Sequence, residues 1–375
     1  MSGAQCDPAA LYAVPSLAWS ATPGREVCIC GIGARTPLGL DAASSAAAVR
    51  AAISAIAAHP ALVDRFGEPA RLASDVALDP ALPIGQRLET LLQSALAQAV
   101  EGLGLQRPVF CWLGMPQPRD GLGAAGYEQI ERNLKSARSS LPVSAVRLLP
   151  SGHAAGLMAI QAAAQQIASG EAEVCLATGV DSYLDAACVK WLDHAGRLMS
   201  GSNRNGFPPG EAAGACLLAG AATAKRNGWP VLAHVAAAAT AKEPQPLGSE
   251  GVCVGLGLTA ALNGVIASLQ QPQQQITATY CDLNGERHRN EEFGYALLRT
   301  QLAFVDAHDY LCPADCWGDV GAASGPLYAV LAIAAAQRGY ATGTLPVMWA
   351  GSDNGYRAAL LLSLSQHAGA HASGN

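Results

Sequence analysis

The chain has 375 residues, 50% of them hydrophobic and only 14% charged, with a net charge of -6. That composition supports a large buried core, in one big domain or two tightly fused ones. With no basic run, it offers nothing for nucleic acid or an anionic membrane to bind.

Residues 1–25 read as an N-terminal extension, with Pro and Asp where a secretory leader would carry basic residues, so a cytoplasmic protein is expected. The 11 cysteines are odd in number and unpatterned, which fits a reducing compartment better than a disulfide framework. A strand is expected over Val27 to Gly31, where Cys28 and Cys30 share one face, followed by the glycine-rich turn Gly31 to Gly39. Helices follow over Ala42 to Ala58 and Leu82 to Gly102, then strands over Pro108 to Gly114 and near Val143 to Leu148.

Ser151-Gly152-His153-Ala154-Ala155-Gly156 opens a run of small and apolar residues that continues to Gly170. Its polar members are Gln161, Gln165 and Gln166, and Ser169-Gly170 closes it as a helix C-terminus should, so it reads as a buried helix. Glu173 to Val180 is an inner strand, and the turn-rich stretch Asn205 to Gly214 leads into another, Ala215 to Leu218. The second half repeats the alternation. A strand near Val231 to Ala238 precedes a loop over Lys242 to Val252, a helix over Leu258 to Leu269, a strand over Ile276 to Cys281 and a helix over Asn290 to Val305. After the Gly321 loop, a helix from Pro326 to Arg338 has Pro in its first turn and Gly339 past its end. Val320 to Gln337 is uncharged over nearly the length of a membrane span, but its Gly, Ser, Pro and alanines read as a loop and a buried helix. Gly351-Ser352-Asp353-Asn354-Gly355 precedes a last strand, Ala358 to Leu364, and residues 367–375 form a small polar tail.

These motifs, in this order, resemble the β-ketoacyl synthases of the thiolase-like superfamily over roughly Val27 to Ser365. The resemblance implies an α/β, thiolase-like five-layer αβαβα fold from two duplicated halves, 26–225 and 230–366. In that family a cysteine opens the buried helix, and counting back from Gly170 places His153 on it. Asn205 to Gly214 matches the family's Asp-Gly-Phe-x-x-Gly-Glu-Gly-Ala-Gly, and Gly351 to Gly355 its Asn-Gly loop, which makes Phe207 and Asn354 candidate substrate-binding residues. Of the two histidine loops, one is recognisable as Trp317 to Ala323, with its histidine position on Gly318 or, with a one-residue slip, Asp319. The other is replaced by Tyr280 to Glu292, with Cys281 or Asp282 at the histidine position, and the family lysine falls on or near Pro313.

Decarboxylative condensation needs a thiolate, favoured at a helix N-terminus, and two imidazoles to stabilise the enolate and oxyanion. All three residues are replaced. His153 then reads either as a hydrogen-bonded core histidine or as a ligand-contacting or catalytic one. Asp282 to Glu292, rich in charge, reads as an ion-pair network, a solvated loop or a new acid/base site, with Arg287 or Arg289 a natural partner for Asp319. Cys281 is the thiol that alignment brings nearest the old site, as a substitute nucleophile. Cys312 and Cys316 have a spacing that metal sites use but lack a companion pair, so neither a metal nor a cofactor is expected.

The expected function is therefore that of a noncatalytic accessory or scaffold protein, a secretion-effector adaptor or a chain-length-factor-like partner. The adaptor form follows from Asp282 to Glu292, which is similar to the corresponding segment of thiolase-like proteins encoded beside type VI secretion effectors. The alternative is an acyl-thioester-binding acyltransferase, a 3-oxoacyl-carrier-protein synthase with an unusual site around His153, Cys281 and Asp319. Expected partners are a second copy or a related synthase in a dimer, and an effector or an acyl carrier protein.

Overall fold

A computed structural model describes residues 18–135, 143–201 and 203–365. The expected tail and most of the expected N-terminal extension lie outside the described residues. The first half contains β1 (Trp19–Ser20), β2 (Val27–Arg35), α1 (Ala42–Arg50), β3 (Ile56–Val63), β4 (Pro69–Ala73), α2 (Ile84–Val100), β5 (Val109–Met115), α3 (Ala124–Lys135), β6 (Val143–Pro150), α4 (Ala155–Ala168), β7 (Val174–Ser182), α5 (Ala186–His194), β8 (Glu211–Gly220) and α6 (Ala221–Asn227). The second contains β9 (Ala233–Lys242), α7 (Leu256–Ile266), β10 (Ala278–Cys281), α8 (Arg287–Thr300), β11 (Tyr310–Leu311), α9 (Ala314–Trp317), α10 (Ser324–Gln337), β12 (Pro346–Gly351) and β13 (Tyr356–Leu364).

The two halves build the same sheet twice. In the first, β6, β5 and β7 run parallel, then β8 and β2 add antiparallel. In the second, β11, β10 and β12 run parallel, then β13 and β9 add antiparallel. The sheets join through a short antiparallel pairing of Val27 to Ile29 with Ala233 to Val235. The short β1 pairs with β9, so the end of the N-terminal extension is tied to the second half.

Strand alternation shows where the layers lie. On β13, Ala358, Leu360, Leu362 and Leu364 pack toward α4 and α10, while Ala359 and Leu361 pack toward α7 and α8. On β8, Cys216 and Leu218 face α4 and α10, while Ala215, Leu217 and Ala219 face α2. Both sheets are thus covered on both faces, which is why their central strands read as continuous apolar runs rather than alternating ones. The result is the expected five-layer αβαβα arrangement.

The middle layer needs small residues. A Cβ on Gly156 of α4 would lie 2.5 Å from Pro326 Cδ, and one on Gly325 of α10 would collide with the Leu157 amide. The helices can therefore approach at van der Waals distance, and they are buried all round.

Part of the expected element list changes. The helix expected from Ala42 to Ala58 stops at Arg50, Ala52 takes a positive φ of 53°, and the chain becomes the β3–β4 hairpin. Among the described residues, no helix is long and apolar enough to cross a membrane.

Candidate functional site

A short 3-10 turn, Gly152–Ala154, carries the chain from β6 into α4. Gly152 takes a φ of 74°, a conformation that favours glycine, and the Ala154 amide donates to Ser352 Oγ at 2.9 Å. This turn fixes His153 at the start of the central helix, 4% exposed.

The partner of His153 comes from the other half of the chain. Its Nε2 lies 2.8 and 2.9 Å from the two carboxylate oxygens of Asp319. Asp319 also accepts from the Gly321 amide at 2.8 Å and from Asn284 Nδ2 at 2.6 Å. Gly318 takes a φ of 74° and passes so close to Pro208 and Pro209 that a Cβ would meet both carbonyl oxygens at 2.9 Å. Of the two residues expected at this loop position, then, Gly318 serves the backbone and Asp319 supplies the side chain.

Arg289 completes the group. Its Nη2 lies 3.3 Å from His153 Nε2, and its Nη1 donates to Asp282 and to the Gly351 carbonyl, both at 2.7 Å. Of the two arginines expected near Asp319, Arg289 is close enough for its charge to act on the carboxylate, without a direct ion pair, and Arg287 is not. Asp282 is the direct partner of Arg289, while Arg287 lies exposed against Glu291 one helical turn on. Beyond Asp282, Arg197 bridges Glu286 and Asp353, with shortest distances of 2.6 Å to each, and Arg119 holds Asp181 at 2.5 Å. Of the readings open for Asp282 to Glu292, its buried members form an ion-pair network, and its exposed members a solvated helix face.

Burial works against a charge on His153, but the Asp319 carboxylate outweighs it and raises the imidazole above its ordinary pKa, with Arg289 opposing. Burial alone would raise the Asp319 pKa; the His153 charge and hydrogen bond bring its carboxyl well below the usual range. The two directions describe an imidazolium–carboxylate pair. Glu286 is likewise lowered, its burial being outweighed by the Arg197 hydrogen bond.

A cavity of about 330 Å³ reaches His153 between Arg119, Asp181, Tyr183, Arg197 and Asp353. It adjoins an outer recess of about 640 Å³ that shares Trp191, Arg197 and Asp353 and is bounded by α8. There His288 is pushed down to about 4 by burial and by Arg289, so it is neutral at pH 7. Chemically, the cavity presents a histidine with a carboxylate partner and a ring of paired charges.

Other expected site residues lie elsewhere. Cys281 does not line this cavity. It packs in the outer layer with Phe293 and Trp349, its Sγ 3.5 Å from Cys312 Sγ, and burial pushes its thiol well above the ordinary pKa. Phe207 is fully buried beneath the cavity, edge-on to Tyr183 at 5.4 Å and under Arg197. Asn354 shapes its own turn by accepting from the Tyr356 amide at 3.3 Å. Among the described residues, one group of possible metal ligands comes together, Glu243, Cys253 and Glu292, but both carboxylates are engaged, with the Gly257 amide and Arg357 respectively. The residues that sequence reasoning missed are Arg119, Asp181, Arg197, Asn284 and Asp353. Asn284 and Asp353 lie in the matched segments Tyr280 to Glu292 and Gly351 to Gly355 with nothing to set them apart from their neighbours, and no motif marks Arg119, Asp181 or Arg197.

Residues 148–224 match the family model described as β-ketoacyl synthase, N-terminal domain. No curated protein matches the chain. Among solved structures, a chain from AntDE:AntF, described as a type II PKS acyl-carrier protein in complex with its ketosynthase, is 14% identical with a TM-score of 0.74, covering 91% of this chain and 100% of its own. The ishigamide ketosynthase/chain length factor is 16% identical with a TM-score of 0.72, covering 91% and 99%. A ketosynthase from module 6 of the bacillaene synthase from Bacillus subtilis 168 is 14% identical with a TM-score of 0.74, covering 91% and 72%. The fold is the thiolase-like fold of the ketosynthases.

Proposed function

We propose that this chain is a noncatalytic accessory or scaffold protein built on the ketosynthase fold. The observation that carries the reading is His153. It occupies the position aligned with the nucleophilic cysteine and is tied to Asp319 at 2.8 Å. An acyl group transferred to such a ring would form a labile acyl-imidazole, and the transfer would first have to break a buried ion pair. The positions aligned with the two histidines support the same reading, because Asp282 and Asp319 serve the ion network and Gly318 serves the backbone. The cavity at His153 is ringed by Arg119, Asp181, Arg197 and Asp353, a poor sleeve for an acyl chain.

The accessory role takes one of two forms, an adaptor that binds a secretion effector or a chain-length-factor-like subunit that pairs with a related synthase. In either, the chain acts in a dimer and through surfaces rather than through chemistry. A second reading is favoured by one specific feature. A histidine with a carboxylate partner at the end of an open cavity is a general acid/base arrangement, which an acyltransferase acting on carrier-bound acyl groups could use.

Intact-mass spectrometry after incubation with acyl and malonyl thioesters separates the two, with His153→Ala alongside. No mass gain and no thioester consumed is the expected result. Turnover or a stable adduct lost in His153→Ala would overturn the accessory reading.

A further inference from the structure

We propose that Cys281 and Cys312 are a redox-modification site, a dithiol that closes to a disulfide when a hydroperoxide oxidises Cys312. The site is independent of the accessory reading and concerns thiols outside the His153 cavity.

The geometry comes from the edge of the second sheet. β10 and β11 pair in parallel with Tyr280 opposite Leu311, so Cys281, the last residue of β10, and Cys312, the residue just after β11, fall side by side. Their sulfurs are 3.5 Å apart. In-register neighbours on adjacent strands are about 5 Å apart at Cα, within the range a disulfide spans. The two thiols also differ in access. Among the described cysteines only Cys253 and Cys312 are not fully buried. Cys281 is closed in with Phe293 and Trp349. Cys312 is therefore the thiol an oxidant can reach, and Cys281 the one positioned to resolve it.

The Cys312 thiolate attacks a peroxide oxygen, the O–O bond breaks, and the leaving oxygen takes up the proton the thiol gave up and departs as water or an alcohol, leaving a sulfenic acid. Cys281 then attacks the sulfenic sulfur, the S–O bond breaks, and the thiol proton leaves with the hydroxyl as water. The dithiol loses two electrons and the peroxide gains them.

The bond would tie together the two segments that hold the His153 group. Cys281 immediately precedes Asp282, which holds Arg289. Cys312 precedes α9, whose end delivers Gly318 and Asp319. The cysteines are 31 residues apart in sequence, so the cross-link constrains a loop that includes all of α8.

Treating the folded protein with hydrogen peroxide, blocking remaining thiols and mapping peptides tests this. The expected result is one Cys281–Cys312 cross-link, a loss of two hydrogen masses from the intact chain, and reversal by dithiothreitol. The partly exposed position makes Cys312→Ser the variant that keeps its fold; it is expected to leave Cys281 reduced and the chain without the mass loss. The proposal is overturned if Cys312 gains two or three oxygens while Cys281 stays free, if Cys312 links to another cysteine such as Cys6, or if both thiols are alkylated after peroxide as before it.

Discussion

His153 and Asp319 lie 166 residues apart in sequence and 2.8 Å apart in space. This explains how much of the site was legible. The expectation that His153 opens the buried helix could be made from sequence, because a buried helix with a glycine end can be counted along. The loop alignment narrowed the second position to Gly318 or Asp319. That the two meet depends on the packing of the halves, which no local pattern records. Arg119 and Arg197 lie outside any element of regular structure and so lacked a periodicity to mark them.

The pair sets a pH dependence. His153's pKa is raised in the folded protein, so its contribution to stability is fully present below the unfolded value of about 6.5 and is lost as pH rises through the higher folded value. His153→Ala leaves Asp319 with donors from Gly321 and Asn284, so the expected cost is that of one charged hydrogen bond, about 1.5–3 kcal/mol, rather than that of an orphaned buried charge. Urea unfolding of both proteins at about pH 6 and about pH 9 measures the gap. It is expected to be wider at the acidic value, and an equal gap at both would mean that His153 is not a charged partner of Asp319.

At the scale of elements, uniform burial made some segments easy to read and others hard. α4, α10 and β13 are apolar nearly throughout and end at glycine or polar turns, so their extents were recoverable, whereas β8 begins at Glu211, ahead of the expected Ala215, because Glu211 and Gly214 read as part of the turn before it. The β3–β4 hairpin was not. β3 contains Pro60 and exposes most of its residues, so it has neither the alternation nor the apolar run of a strand, and the alanines before it prolonged the apparent helix. Two contacts between elements carry predictions. Gly325 on α10 leaves no room for a methyl group against α4, and the atom it would meet is backbone, which cannot move aside. Gly325→Ala is expected to cost about 1–3 kcal/mol or more by overpacking, read as a lower midpoint in thermal unfolding. An unchanged midpoint would show that the central helices have slack. The other contact is the buried pair Arg87 of α2 with Glu211 of β8, 2.8 Å apart, where Glu211 also accepts from the Asp75 amide and Ser182. Removing the guanidinium takes away the one cation acting on Glu211, whose remaining donors are neutral and whose pKa burial already raises, whereas Asp319 keeps the Arg289 charge when His153 is lost. Arg87→Ala is expected to cost about 3–5 kcal/mol in urea unfolding, and Arg87→Ala with Glu211→Gln less than that.

At the scale of the molecule, the accessory reading turns on what the sheet edges do. One end of the strand order is β11, only two residues long, which gives a second chain little to pair with. The other end is β6, eight residues long and paired, among the described residues, only with β5. A long edge strand with one free side is where another strand adds, and a second copy related by a two-fold axis would lay its own β6 antiparallel against it. That closure satisfies both edges at once and extends the first sheet across the dimer. Ser144 and Arg147 are the exposed side chains of β6. An antiparallel self-pairing brings each side chain near the opposite strand, where an added like charge is destabilising. Light scattering on the purified protein is expected to give twice the chain mass, and Ser144→Lys, which adds a second positive charge beside Arg147, to shift it toward the monomer. If the wild type is a monomer at every concentration, while a related synthase or an effector binds it through β6, the edge serves a different chain and the accessory role is that of a heterologous partner. If β6 binds neither itself nor another chain, and Ser144→Lys changes nothing, the dimer proposed for this fold is wrong.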